Sequence, residues 1–205
     1  MNHLAHALLA DSTPESIIGN LSGDFVRGPV DSRLHQGVAR GIRNHRHVDT
    51  YTDGHAITRR ARKRFVGGQR RVAGIVLDVY FDHFLCRHWE AFSEESFSAF
   101  CHRIYTTLRI HQPLAPDRFR DFIPTFIQHD LLSSCYSIEG TLTVLERLGS
   151  RWVKKPELRR LLLRAGDDAQ GDYAAIEQDF LEFFPDLLDT VSNFNQPGQD
   201  PAPPN

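Results

Sequence analysis

The stretch Leu77 to Trp89 reads LDVYFDHFLCRHW, a strongly apolar run that also carries Asp78, Asp82 and His83. On a helix Asp78 and Asp82 share one face, a single turn apart. Carboxylates on an apolar helix are costly to bury unless they are protonated, paired or bound to a cation. A fold that takes this helix into its core must therefore bring cationic partners or a metal to the two acids, and other segments of the chain must complete the site.

The helical signal extends along the chain. Thr13 followed by Pro14 reads as an N-cap with proline at the first helical position, and Asp31 or Ser32 can cap a helix from about Arg33 to Thr52. Further helices are expected over Asn2 to Ala10, Glu15 to Leu21, Ala56 to Phe65, Arg70 to Glu90, Ser93 to His111, Phe119 to Leu132, Ser137 to Leu148, Pro156 to Ala165 and Asp168 to Phe184. No run alternates as strands do, and no internal repeat is found. With 205 residues, 40% of them hydrophobic, one sizeable core is expected. The expected architecture is all-α, a single multi-helix domain over residues 1–194. The polar, proline-rich residues 195–205 are expected to be a disordered tail.

Cys86, Cys101 and Cys135 are odd in number and lack C-x-x-C spacing, which argues against a disulfide framework or a thiolate zinc site and suits a reducing cytoplasm. The opening NHLAHALLA is short and lacks a basic leader, and no run reaches the length of a membrane span, so a soluble protein is expected. Charge is uneven. Residues 25–77 hold twelve Lys or Arg against the acids Asp31, Asp49 and Asp53, while the remainder is acidic. Arg59, Arg60, Arg62, Lys63 and Arg64 crowd one short helix, a patch that wants a polyanionic partner.

Candidate site residues concentrate in the first ninety positions. His45 and Asp49 sit a turn apart on one helix, Asp78 and Asp82 on another, and Asp24 in a connection. These form a nitrogen and oxygen donor set without thiolate, suited to Mn²⁺, Mg²⁺ or Fe²⁺. A cation between helices could polarise a phosphoryl oxygen, with His6 or His83 shuttling protons. The plainer alternative is ion pairing, Asp49 with Arg43 or Arg46 and Asp82 with Arg87. Cys86, near carboxylates, is expected to pack in the core rather than act as a nucleophile.

Four segments carry a resemblance: Asn2 to His6 (NHLAH), Gly19 to Gly28 (GNLSGDFVRG), Gly41 to Asp49 (GIRNHRHVD) and Leu77 to Leu85 (LDVYFDHFL). Together with Asp172 to Glu177 and Phe183-Phe184-Pro185, they resemble the bacterial acyl carrier protein phosphodiesterases over nearly the whole chain apart from the tail. The resemblance implies a manganese-dependent hydrolase that removes 4′-phosphopantetheine from holo-acyl carrier protein, leaving the apo form. It also implies kinship with the helical HD-domain phosphohydrolases, hence an HD-domain-like fold, although Asp82-His83 reverses the His-Asp order those proteins carry. Carried over residue by residue, Asp24, His45, Asp49, Asp78 and Asp82 become metal ligands or their close supports, and His6 and His83 polar catalytic residues. The Arg59 to Arg64 cluster would then dock the acidic carrier protein, and no nucleic acid or membrane partner is expected. Two other classes stay open: an HD-type hydrolase of small nucleotides, and a non-catalytic helical protein that binds an acidic partner.

Overall fold

The computed structural model describes residues 1–150 and 154–194, so the expected tail at 195–205 lies outside the described residues. The described residues hold helices joined by turns and short 3-10 segments, with no strand among them. The helices are α1 (His3–Leu8), α2 (Pro14–Ser22), α3 (Gln36–Gly54), α4 (Ala56–Arg62), α5 (Ala73–Arg87), α6 (Trp89–Phe92), α7 (Phe97–Ile110), α8 (Asp117–Gln128), α9 (Ile138–Ser150), α10 (Pro156–Ala169) and α11 (Tyr173–Phe194). None of them is long and apolar enough to cross a membrane.

Helix α5 is the hub. Eleven of its residues, from Ala73 to Cys86, are buried, and α1, α4, α9, α10 and α11 all pack against it. Its apolar residues cover the full circumference, as a helix enclosed on every side requires. Phe81 and Phe84 meet Phe180 and Phe183 of α11 in a ring cluster with centroids 5.6 to 6.1 Å apart. Each such buried phenyl contributes roughly 1.5–3 kcal/mol. The Tyr80 hydroxyl, carried into this core, donates to the Gly166 carbonyl at 2.7 Å, which satisfies the one polar atom its ring brings in.

Helices α2 and α3 form a close parallel pair, with Glu15 beside Gly37, Gly19 beside Gly41 and Gly23 beside His45. A Cβ on Gly19 would come within 2.4 Å of the Val38 carbonyl oxygen and 2.7 Å of the Gly41 Cα. Only two glycines facing each other allow this approach. At the start of α2, Thr13 Oγ1 accepts the Ser16 N–H at 3.3 Å, with Pro14 opening the helix as the sequence suggests. Helix α3 starts three residues later than expected. Its cap is His35, whose Nδ1 accepts the Gly37 N–H at 3.2 Å, because Asp31 is taken up by the backbone and guanidinium of Arg33. Helix α11 runs ten residues past its expected end at Phe184. It passes through Pro185, since Leu187 and Val191 extend its buried face and so offset a proline cost of about 3 kcal/mol. Cys86, Cys101 and Cys135 are free and buried. Burial pushes the Cys86 thiol far up, which agrees with a packed core residue.

Candidate functional site

The α2–α3 pair builds one wall of the site. On α3, His45 is buried and its Nδ1 lies 2.8 Å from the Asn20 carbonyl of α2. That carbonyl can only accept, so Nδ1 carries the hydrogen and Nε2 turns toward the carboxylates. There Nε2 lies 3.1 Å from Asp49 Oδ2, one turn along the same helix, and 3.5 Å from Asp24 Oδ1 in the 3-10 turn that follows α2. Gly23 makes room for the ring, since a Cβ at that position would stand 2.2 Å from His45 Cγ. Asn20 itself is fixed: its amide donates to the Ser16 carbonyl at 2.9 Å, and its Oδ1 accepts from Asn44 at 3.0 Å.

Helix α1 supplies the second imidazole. His6 stacks on His45 with ring centroids 3.8 Å apart and planes 20° from parallel, and its Nε2 lies 3.2 Å from Asp49 Oδ1. Neither ring nitrogen of His6, both buried, has a hydrogen-bond partner of good geometry among the described residues. One ligand atom from each of His6, His45 and Asp49 falls within 4.8 Å of the others. The rim reaches solvent, with the side chains of Asp24, Asp49 and Asp78 exposed to 69, 38 and 33%.

Electrostatics bear the mark of positive charge drawn into this cluster. Burial opposes a charge on His45, but the Asp24 and Asp49 carboxylates outweigh it and raise its pKa to about 9. His6 goes the other way: burial, then the charge of His45, lowers it to about 3. His45 in turn holds Asp24 down at about 2. The Met1 ammonium sits 3.3 Å from Asp49 Oδ1 and 3.1 Å from Asp78 Oδ1. Burial opposes its charge too, yet the two acids bring it to about 11. Orphaned imidazole nitrogens, a histidine oriented by a backbone carbonyl and converging carboxylates that already hold a cation together fit a hard or borderline divalent metal.

Not every residue singled out from the sequence joins this cluster. Asp78 reaches it, through the Met1 ammonium. Asp82, one turn on, is buried, and its oxygens accept the Leu4 and Ala5 N–H groups at 2.8 and 3.2 Å. It caps α1 from outside and so positions the helix that carries His6. Burial, only partly offset by these two bonds, lifts the Asp82 carboxyl to about 7. His83 points elsewhere, with Nδ1 2.8 Å from the Cys135 carbonyl and Nε2 2.7 Å from the Tyr173 hydroxyl. The chain's His-Asp dipeptide, His129-Asp130, follows α8 and is not part of the His6–His45–Asp49 group. There Asp130 accepts the Tyr105 hydroxyl at 2.5 Å, at a φ of 46°.

The basic helix is tied into the fold by several of its own arginines. Arg60 and Arg64 both bind the buried Asp179 of α11, at 2.5 and 2.9 Å, and Arg60 also reaches Glu182. Arg62 pairs with Asp53. Three of the five bases thus clamp α4 to its neighbours, and only Arg59 and Lys63 have no ion pair among the described residues. None of the three alternative ion pairs, Asp49 with Arg43 or Arg46 and Asp82 with Arg87, forms among the described residues: Arg46 donates instead to the Val26 carbonyl at 2.9 Å, and Arg87 reaches Glu177. Asn20 and Gly23 were not singled out as parts of the site. The signal for them is the four-residue spacing of Gly19 and Gly23, which marks one face of α2 as the side where α3 and its histidine come close.

A family model described as acyl carrier protein phosphodiesterase matches residues 1–187. A protein of that name from Serratia proteamaculans is 35% identical over 191 residues, covering 92% of this chain and 96% of its own length. One from Photorhabdus laumondii is 32% identical over 194 residues, covering 94 and 96%. One from Escherichia coli O6:H1 is 33% identical over 196 residues, covering 94 and 98%. No solved structure matches the chain.

Proposed function

This chain belongs to the acyl carrier protein phosphodiesterase family, and from that premise we propose that it hydrolyses the phosphodiester joining 4′-phosphopantetheine to a serine of holo-acyl carrier protein. The observation that carries the proposal is the His6–His45–Asp49 cluster, two buried imidazoles and a half-buried carboxylate, with Asp24 and Asp78 beside it at the solvent rim. Those three residues would hold a divalent cation, most suitably Mn²⁺, with Asp24 and Asp78 at its rim. The ion would supply Lewis-acid stabilisation of charge on the phosphoryl group.

The chain's own residues do the rest. Asn20 fixes which nitrogen of His45 faces the site, and Asp82 fixes the helix that presents His6. Asp24, kept ionised by His45, offers an acceptor at the mouth for the hydrogen of an entering water. That water's oxygen bonds to phosphorus, the bond from phosphorus to the serine oxygen breaks, and the serine oxygen takes up a proton. The arm leaves as a phosphomonoester. His6, neutral in its stack with His45, suits a ligand better than an acid, and His83 suits the support of α5 against Tyr173. The helical fold and the donor set agree with kinship to the HD phosphohydrolases, although the cluster is assembled without a His-Asp dipeptide. Three buried free thiols agree with a cytoplasmic setting.

The test is to incubate holo-carrier protein with the protein and Mn²⁺ in ¹⁸O-water and follow intact masses. Loss of the whole arm, with the label in the released phosphomonoester and none in the serine, is expected. An unchanged carrier mass beside rapid hydrolysis of small nucleotides would overturn the proposal in favour of a nucleotide phosphohydrolase.

A further inference from the structure

Helix α8 places Phe122 and Thr125 along one face, with His129 just past its end, and α9 places Val144, Arg147 and Leu148 on another. Where these faces meet the start of α1, they enclose a cavity of about 290 Å³, closed at one side by Asn2 and His3. It lies near the lower end of the size range of small-molecule sites, ~300 Å³. Its wall is continuous with the cluster. His3 lies one turn before His6 on α1, its ring stands edge-on to Phe126 at 5.2 Å, and it is close enough to Asp24 to help keep that carboxylate ionised.

The lining sets apolar surface (Phe122, Val144, Leu148) beside polar groups (Asn2, His3, Thr125), with the Arg147 guanidinium among them. Such a surface suits a linear chain in which methylenes separate hydrogen-bonding groups, with the Arg147 guanidinium available to donate to an amide carbonyl, and it is a poor match for a purely aliphatic tail. We propose that this cavity is the subsite for the amide-bearing pantetheine arm of the substrate, entered from the His3 end while the phosphate lies at the cluster. The proposal deepens the function proposed above and rests on it.

Thr125→Trp and Val144→Trp would fill the cavity, the first from an exposed position that tolerates bulk without disturbing the core. Three quantities are read with Mn²⁺ present: kcat and KM on holo-carrier protein, competition by unphosphorylated pantetheine, and competition by apo-carrier protein, which lacks the arm. The expected result is a tenfold or greater rise in KM and in the pantetheine inhibition constant, with apo-carrier inhibition within twofold of wild type. If Thr125→Trp melts like wild type and changes neither KM nor pantetheine inhibition, the cavity is not the subsite. If apo-carrier inhibition weakens as much as pantetheine inhibition, the cavity belongs to a protein-docking face and the proposal is overturned. Failure of the wild-type protein to process holo-carrier protein at all would instead sink the proposed function, and this inference with it.

Discussion

His45 is only 4% exposed and nevertheless holds a proton, because the Asp24 and Asp49 carboxylates outweigh the penalty of burial. Its folded pKa of about 9 stands above the ordinary 6.5, so its contribution to stability is complete below pH 6.5 and is lost as pH rises through 9. A metal competes for the same nitrogen. Chelator-treated protein should therefore lose melting temperature across that window while its affinity for Mn²⁺ rises. His45→Gln should flatten both trends, and a wild-type profile without slope would contradict the assignment. The same scale shows what spacing alone can tell. Asp78 and Asp82 share a helix face as the sequence indicates, yet one meets an ammonium and the other two backbone N–H groups. Both partners come from the segment around α1, nearly eighty positions away in the chain, which no local pattern on α5 discloses.

At the scale of elements, a helix start is legible where the cap residue and its neighbours leave it no competing partner. Thr13-Pro14 opens α2 as expected, because the cap and the proline act within one turn. The start of α3 was not legible, since Asp31 could cap a helix or close a turn and its arginine decided the matter. The α2–α3 crossing yields a sharp prediction: Gly23→Ala should drive a methyl into the His45 ring. It should weaken Mn²⁺ binding at least tenfold, about 1.4 kcal/mol, while circular dichroism keeps the helical signal; titration with Mn²⁺ by electron paramagnetic resonance checks it. Helix α4 makes the opposite point. A dense row of arginines reads as a docking patch, whereas the structure spends Arg60 and Arg64 on the buried Asp179. An uncompensated buried charge is strongly destabilising, so Arg60→Glu should lower the melting temperature by several degrees and leave KM for the carrier protein near its wild-type value wherever the variant is folded. A large rise in KM at unchanged stability would restore the docking role.

For the whole molecule, the all-α class followed from helical periodicity and the lack of alternation, and α5 is its hub because its apolar residues leave no solvent face. The site was partly legible for a related reason. His45, Asp49 and Asp78 fall at helical spacing and do converge, while Asp24 arrives from a turn and His6 from a six-residue helix whose place depends on Asp82. The central claim is that His6, His45 and Asp49 form one metal centre on which phosphodiester hydrolysis depends. It is tested most directly by measuring, on the same samples, bound Mn²⁺ and release of phosphopantetheine from holo-carrier protein for wild type and Asp49→Asn. One Mn²⁺-dependent activity, lost together with bound metal in Asp49→Asn while the fold is retained, is the predicted result. Asp49→Asn protein that keeps both its manganese and its turnover, or chelated wild type that turns over undiminished, would contradict it.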